Sequence, residues 1–473
     1  MAKIAFIQEG IYENLGIMQL SAVLKKGDHD VLLLIDSMEK NVLASLKEFR
    51  PDIIAFSVIT GSHLRVYENI KKIKAILPQA LYILGGPHPT FFPEAIDRSG
   101  ADIICRGEAE GAILDLADAW PDMAKIKTIP NLWVKEGSQL FKNEPRPLVE
   151  ELDSLPFPDR ELYYKYPVLR FAARKTFLTT RGCPYNCSFC FNHQYRKLYL
   201  GKGRQIRMRS PQNIIDEILA VKKKYGLASV FFQDDTFILD KNWLKNLLSE
   251  YKKQVDLPFT CLVRADLTDE ETARQLKEAG CVGVQFGIES GNEAIRNKIL
   301  RKNLTDEHII KAAAFYKKYG IKFKTYNILG LPGETLEDAF KTMELNALIR
   351  TDLPWSSILT PYPKTDIAEM MSAQGLLPAD YGVDDIASSF FDKKTATKHE
   401  KNILNLQRLF FWGVKIPRML PLIKMLVKLP PNFIFNGLFY AGQLYTYKVS
   451  ENLDWLTSIK MGLNFVRLNF SKK

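Results

Sequence analysis

The stretch "RGCPYNCSFCFN", residues 181–192, spaces Cys183, Cys187 and Cys190 as C-x3-C-x2-C and uses three of the chain's six cysteines. A structural zinc site wants a fourth donor, and His193, three positions past Cys190, is available to supply it. Three thiolates alone suit a different group, because they can hold three irons of a [4Fe–4S] cluster and leave the fourth iron open to an outside ligand. The loop directly follows an apolar run, "TFLTT" at 176–180, that reads as a buried strand. At the end of such a strand an open metal site is of more use than a closed staple.

Outward from the loop the chain alternates between apolar runs and helical patterns. After 176–180 come "SVFFQD" (229–234), "FTCLVR" (259–264), "VGVQFG" (282–287), "FKTYNILG" (323–330) and "SSILTPY" (356–362), separated by stretches such as "PQNIIDEILAVKKKYG". Six βα units are too few for a closed eight-unit barrel and predict a partial, splayed (β/α)6 TIM-like barrel, with function at the carboxyl ends of its strands. Upstream, "KIAFIQ" (3–8), "DVLLLI" (30–35), "DIIAFS" (52–57), "LYILGG" (81–86) and "DIICRG" (102–107) alternate with helical patterns in the same way. These predict a flavodoxin-like (Rossmann-type) α/β domain, which binds ligands beyond its strand ends. Ser57, Thr60 and Gly61 fall after its third strand, and Gly85, Gly86 and His88 after its fourth. The expected division is a first domain at 1–145, a proline-rich and acidic linker at 146–172, the barrel at 173–390 and a C-terminal helical region at 391–473.

The formal net charge of +11 gathers in the tail, where residues 401–473 hold eleven Lys and Arg against Glu451 and Asp454. Lys415, Arg418, Lys424 and Lys428 recur there among Phe, Trp, Leu, Ile and Met. Two readings are open: helices at a membrane interface with cations on anionic head groups, or a cap that closes the open edge of the barrel. The charge comes with no nucleic-acid reader motif, so no nucleic-acid partner is expected. The opening "MAKIAFIQEG" reads as a strand rather than an export signal, and six cysteines do not make a disulfide framework. A cytoplasmic place is expected, peripheral on the inner membrane surface if the tail meets lipid.

The cysteine spacing, with the aromatic Phe189 before its last member, resembles the cluster loop of the radical S-adenosylmethionine (SAM) superfamily. That resemblance implies a [4Fe–4S] cluster on Cys183, Cys187 and Cys190, with SAM chelating the open iron and an electron from flavodoxin or ferredoxin releasing a 5′-deoxyadenosyl radical. It further implies Gln233, Asp234 and Asp235 of "FFQDDTF" near the methionyl amine and Arg264 facing a carboxylate. Glu289 and Ser290 of "FGIESG" fall at the ribose or methionyl end, with Phe189 and Ile328 near adenine. "YNILGLPGET" departs from the superfamily's G-x-I-x-G-x-x-E, since Tyr326 replaces the first glycine and Glu334 falls one position late.

The first domain resembles the cobalamin-binding domain found upstream of such barrels, on Ser57, Thr60, Gly85, Gly86, His88 and Glu108 of "RGEAEGAI". After its first strand stands "QEGIYENLG" in place of D-x-H-x-x-G, which implies base-off cobalamin without a histidine ligand. Together these imply C-methylation of an apolar or lipid-like small molecule, with a radical cyclase forming a ring as the alternative. A cofactor-binding protein without turnover and a zinc-stapled scaffold are the remaining readings.

Overall fold

Continuous apolar runs become parallel strands when both sheet faces are covered, and the five runs of the first third pair in this way. The computed structural model describes residues 1–387 and 401–450. Strands β1 (Lys3–Gln8), β2 (Asp30–Ile35), β3 (Ile53–Ser57), β4 (Leu81–Gly85) and β5 (Ile103–Cys105) are parallel. An antiparallel hairpin, β6 (Leu132–Glu136) and β7 (Gln139–Lys142), extends them to seven in the order β2-β1-β3-β4-β5-β6-β7. The chain therefore winds both ways from β1, and the β1/β3 boundary is the switch point where such sheets bind ligands. One face packs Ile17 and Leu24 of helix Leu15–Lys26 and Ile113 and Leu116 of helix Glu110–Ala119; the other packs Val66, Tyr67 and Ile70.

Residues 146–172 are a packed strap. Tyr163 is fully buried and donates to Gln8 Oε1 at 2.6 Å, and the Tyr166 hydroxyl lies 2.6 Å from Glu39 and accepts from Ile35 N.

The second sheet is built from β8 (Arg174–Phe177), then, past a two-residue ribbon of β9 (Thr180–Arg181) with β10 (Arg207–Met208), from β11 (Ser229–Phe232), β12 (Phe259–Leu262), β13 (Cys281–Glu289), β14 (Lys322–Leu329) and β15 (Leu353–Ile358). All six main strands are parallel and lie in sequence order, β8-β11-β12-β13-β14-β15, so the sheet is open with β8 and β15 at its edges. Each element expected from the apolar runs is present.

Helix Lys401–Lys415 lies against β15 and against helix Leu336–Leu348. Its Leu406, Leu409, Phe410 and Val414 join one apolar cluster with Phe340 and Met343, each such burial stabilising by roughly 1.5–3 kcal/mol. This part of the tail caps the open edge, as one of the two readings expects. Lys460, Arg467, Lys472 and Lys473 lie outside the described residues. No helix among the described residues is long and apolar enough to cross a membrane.

Candidate active site

The cysteine loop hangs from the end of β8, and Asp234, at the end of the neighbouring β11, fixes its root. Its Oδ1 accepts from Thr179 N at 2.8 Å, Thr180 N at 2.5 Å and Thr180 Oγ1 at 2.9 Å. Burial pushes this carboxyl up to about 6 against the pull of those bonds. Ser188 pins the middle of the loop by donating from N to Leu300 O and from Oγ to Ile299 O.

Cys183, Cys187 and Cys190 are free and half-buried, whereas Cys105, Cys261 and Cys281 are buried in the sheets. Burial raises Cys183 and takes Cys190 to about 11, with Cys187 and Asp235 among the nearby charges that add to it. His193 Nε2 sits 2.9 Å from Asp366 Oδ1, so that nitrogen is committed away from the thiols. No three His, Cys, Asp or Glu side chains among the described residues close on one ion-sized point. A cluster takes one thiolate per iron and wants its thiols further apart than a single tetrahedral ion does.

The other strand ends gather round this loop. Gln233 and Asp235 are exposed at the end of β11. Arg264 follows β12, but its guanidinium is already held by Asp266 at 3.0 and 3.2 Å and by Lys302 O at 2.8 Å. It lies 3.5 Å over the ring of Tyr185, between Cys183 and Cys187, and so braces the loop rather than standing free for a carboxylate. Glu289 ends β13 in the left-handed region at φ +65° and accepts from Lys302 Nζ at 2.5 Å. A Cβ on Gly287 would stand 1.9 Å from Glu289 Oε1 and 2.5 Å from Lys302 Nζ, so this pair requires glycine there. Ser290 is buried beside it, and Phe189 and Ile328 pack against one apolar cluster with Leu331 and Leu359. Glu334 accepts from Gly330 N and Leu331 N, and burial lifts it to about 7. Lys302 carries no signal in the sequence, because its partner Glu289 lies 13 residues away, beyond the helical segment Ile295–Ile299.

A cavity of about 560 Å³ opens at the carboxyl edge of the first sheet. Phe6, Ala55, Ile83 and Cys105 form its floor, Ile17 and Ile113 contribute walls, and Ser57, Gly85 and Gly86 line its rim. Thr179, Thr180, Arg181 and Tyr195, from either side of the cysteine loop, close it from the second domain. Gly86 has φ +92°, and a Cβ there would press on Val58 N at 3.0 Å.

Glu108 lines the cavity too, but its carboxylate is already engaged. It bonds Arg181 at 3.1 Å, Arg207 at 2.8 and 2.9 Å and Val149 N at 3.0 Å. Burial alone would raise Glu108, yet the Arg207 bonds and both guanidinium charges hold it below the usual carboxylate range.

Thr60 and His88 are not in the lining. They pair with each other, Thr60 Oγ1 to His88 Nδ1 at 3.0 Å, while His88 Nε2 meets Tyr67 OH at 2.7 Å and its ring stacks on His63 at 4.3 Å. Both ring nitrogens are used, and burial drives this imidazole down to about 3. His88→Ala is therefore expected to leave the visible spectrum of bound cobalamin unchanged; a spectral shift would make His88 a cobalt ligand.

A radical SAM superfamily domain matches residues 177–345 and a B12 binding domain matches residues 8–117. An uncharacterized methyltransferase, PH0819 of Pyrococcus horikoshii, is 32% identical over 375 residues, covering 77% of this chain and 79% of the relative. The chain belongs to the radical SAM superfamily. This radical SAM enzyme is also 24% identical to the anaerobic magnesium-protoporphyrin IX monomethyl ester cyclase of Cereibacter sphaeroides, over 84% of its own length and 66% of the cyclase. Its fold matches the cobalamin-dependent radical enzyme OxsB, solved with aqua-cobalamin and SAM bound, at a TM-score of 0.68 and 18% identity, over 99% of this chain and 75% of that one. The cofactors of the enzyme are a [4Fe–4S] cluster, SAM and cobalamin.

The residues present suit these groups. Three free thiols stand in a half-open loop, and the cavity presents apolar floor, glycine rim and no histidine.

Proposed function

We propose that the enzyme transfers a methyl group to an unactivated carbon of an apolar, lipid-like small molecule. The observation that carries this reading is the shared cavity, whose rim is Ser57, Gly85 and Gly86 on one side and the root of the cysteine loop on the other. When bound, the cluster with SAM supplies a hydrogen-abstracting radical, and cobalamin supplies the methyl group.

Cys183, Cys187 and Cys190 would each hold one iron of the cluster, leaving SAM to bind beside it. Gln233 and Asp235 face the methionyl amine, Phe189 and Ile328 wall the adenine, and Ser290 and the Lys302-held Glu289 stand at the ribose or methionyl end. Arg264 and Asp234 are positioning residues that shape the loop through Tyr185 and Thr179–Thr180. The cavity between the sheet and helices Leu15–Lys26 and Glu110–Ala119 would take the nucleotide tail of cobalamin. Support for an apolar substrate comes from half-buried rings where the domains meet: Phe91 stacks on Phe191 at 4.3 Å, with Tyr362 edge-on at 5.9 Å. Reducing electrons come from a flavodoxin or ferredoxin.

The net change at the substrate replaces C–H by C–CH3. The hydrogen would leave in 5′-deoxyadenosine, and a second SAM would be the source of the methyl group, leaving as S-adenosylhomocysteine. Holoenzyme incubated with methyl-deuterated SAM and the small-molecule extract of a strain lacking the gene is expected to place one CD3 group in a product. A new product without label, alongside 5′-deoxyadenosine, would favour ring formation, the reading that the 24% identical cyclase supports.

A further inference from the structure

Between residues 401 and 450 the chain carries seven Lys and Arg and not one Asp or Glu. Helix Leu420–Leu426 within this stretch is apolar on two sides. Its inward side is accounted for, because Ile423, and Val427 just beyond the helix, are fully buried in the cluster that caps β15. Its outward side shows Leu422 at 48% exposure and Met425 at 69%, and Leu429 continues the row. Past Pro430 and Pro431 the next helix, Phe433–Ser450, begins with Phe433 at 82% and Ile434 at 57% exposure. Scattered exposed apolar side chains need no explanation, but five within thirteen residues, in a stretch without a carboxylate, call for a partner. Exposed Arg418, Lys424 and Lys428 stand in the same segment, Lys424 with Glu344 at 2.9 Å.

We propose that the face formed by Leu422, Met425, Leu429, Phe433 and Ile434 docks on an anionic lipid surface. A second copy is the less suitable occupant, since a two-fold contact brings the same patch, and therefore the same cations, together. A bilayer offers both halves of what the patch lacks: apolar depth for Phe433 and Met425, and phosphate-level negative charge for Arg418 and Lys428. The lysine stems can lie along the apolar layer with their ammonium groups at head-group level. This surface is remote in sequence from the cysteine loop and the cobalamin domain, so the proposal stands apart from the reaction assigned above.

The test is flotation of the full-length holoprotein with vesicles of phosphatidylcholine alone or mixed with phosphatidylglycerol. Recovery is expected with the mixed vesicles, to be much lower with phosphatidylcholine alone, and to fall as salt is raised. Arg418→Ala with Lys428→Ala should weaken partitioning about thirtyfold, at roughly fivefold per cation. Phe433→Ser with Ile434→Ser should abolish it. These side chains are exposed, so both variants should melt like the parent and form 5′-deoxyadenosine at the parent rate. Equal recovery of parent and variants, or no recovery on anionic vesicles, would overturn the proposal. Concentration-dependent dimers that Phe433→Ser dissolves, with no vesicle binding, would overturn it in favour of self-association.

Discussion

Cys187→Ala protein, reconstituted anaerobically with iron and sulfide, should lose the brown cluster absorbance and make no detectable 5′-deoxyadenosine from SAM and reductant. Cys187 is the middle thiol of the loop, and the remaining two, Cys183 and Cys190, cannot hold three irons. Loss of a residue that only hydrogen-bonds a metal's ligand costs about 10–100-fold, so loss of a ligand itself should exceed that. The variant should still fold, because the backbone of the loop is held without Cys187's sulfur, by Asp234 at its root and Ser188 at its middle. A His193→Ala variant should instead keep the cluster, since that imidazole is turned to Asp366. Retention of 5′-deoxyadenosine formation by Cys187→Ala would remove the cluster assignment.

The second large effect should come from Glu108→Ala. This carboxylate joins Arg181 and Arg207 of the barrel side to the first domain, and Arg207 is 4% exposed. Removing one partner of a buried ion pair strands the other charge and costs about 3–5 kcal/mol, or roughly 10 °C in melting temperature for a domain of this size. Because the same residue lines the cavity, cobalamin affinity should fall with it. Glu108 is held below the usual carboxylate range when folded. Its stabilising contribution is therefore present above the ordinary glutamate pKa and lost as pH falls through the lower folded value. Differential scanning of parent and Glu108→Ala should show the gap between them narrowing on acidification. A constant gap would remove the latch.

Much of this architecture could be read from the sequence because its signals are local. Apolar runs with helical spacers announce parallel sheets, and the C-x3-C-x2-C spacing announces an open metal loop. The hairpin β6–β7 was missed although "LWVKEGSQLFK" carries alternation about a Gly137–Ser138 turn, with Gly137 at φ +59°. The strap at 146–172 looked like a linker because its anchors are tertiary: Tyr163 meets Gln8 from 155 residues away.

Site residues were harder to read, for the same reason. Glu108 was assigned to cobalamin, but the guanidiniums that occupy it arrive from 73 and 99 residues downstream. Arg264 looked free for a carboxylate until Asp266 and Tyr185 were in place around it. His88 and Thr60 sit at a strand end, as ligand-binding residues do, yet they pair with each other, and His88 turns to Tyr67 and His63 rather than the cavity. A strand end identifies a neighbourhood, and only packing decides which side chain in it faces the ligand.

In the proposed reaction both cofactors act together, meeting where the cysteine loop closes the cobalamin cavity. Electron paramagnetic resonance on protein loaded with cob(II)alamin, with the cluster oxidised and then reduced, reports whether the two groups lie close together. A base-off cobalt signal without nitrogen splitting is expected, with faster relaxation of that signal once the cluster is reduced. A nitrogen-split signal, or cobalt relaxation indifferent to the state of the cluster, would contradict it.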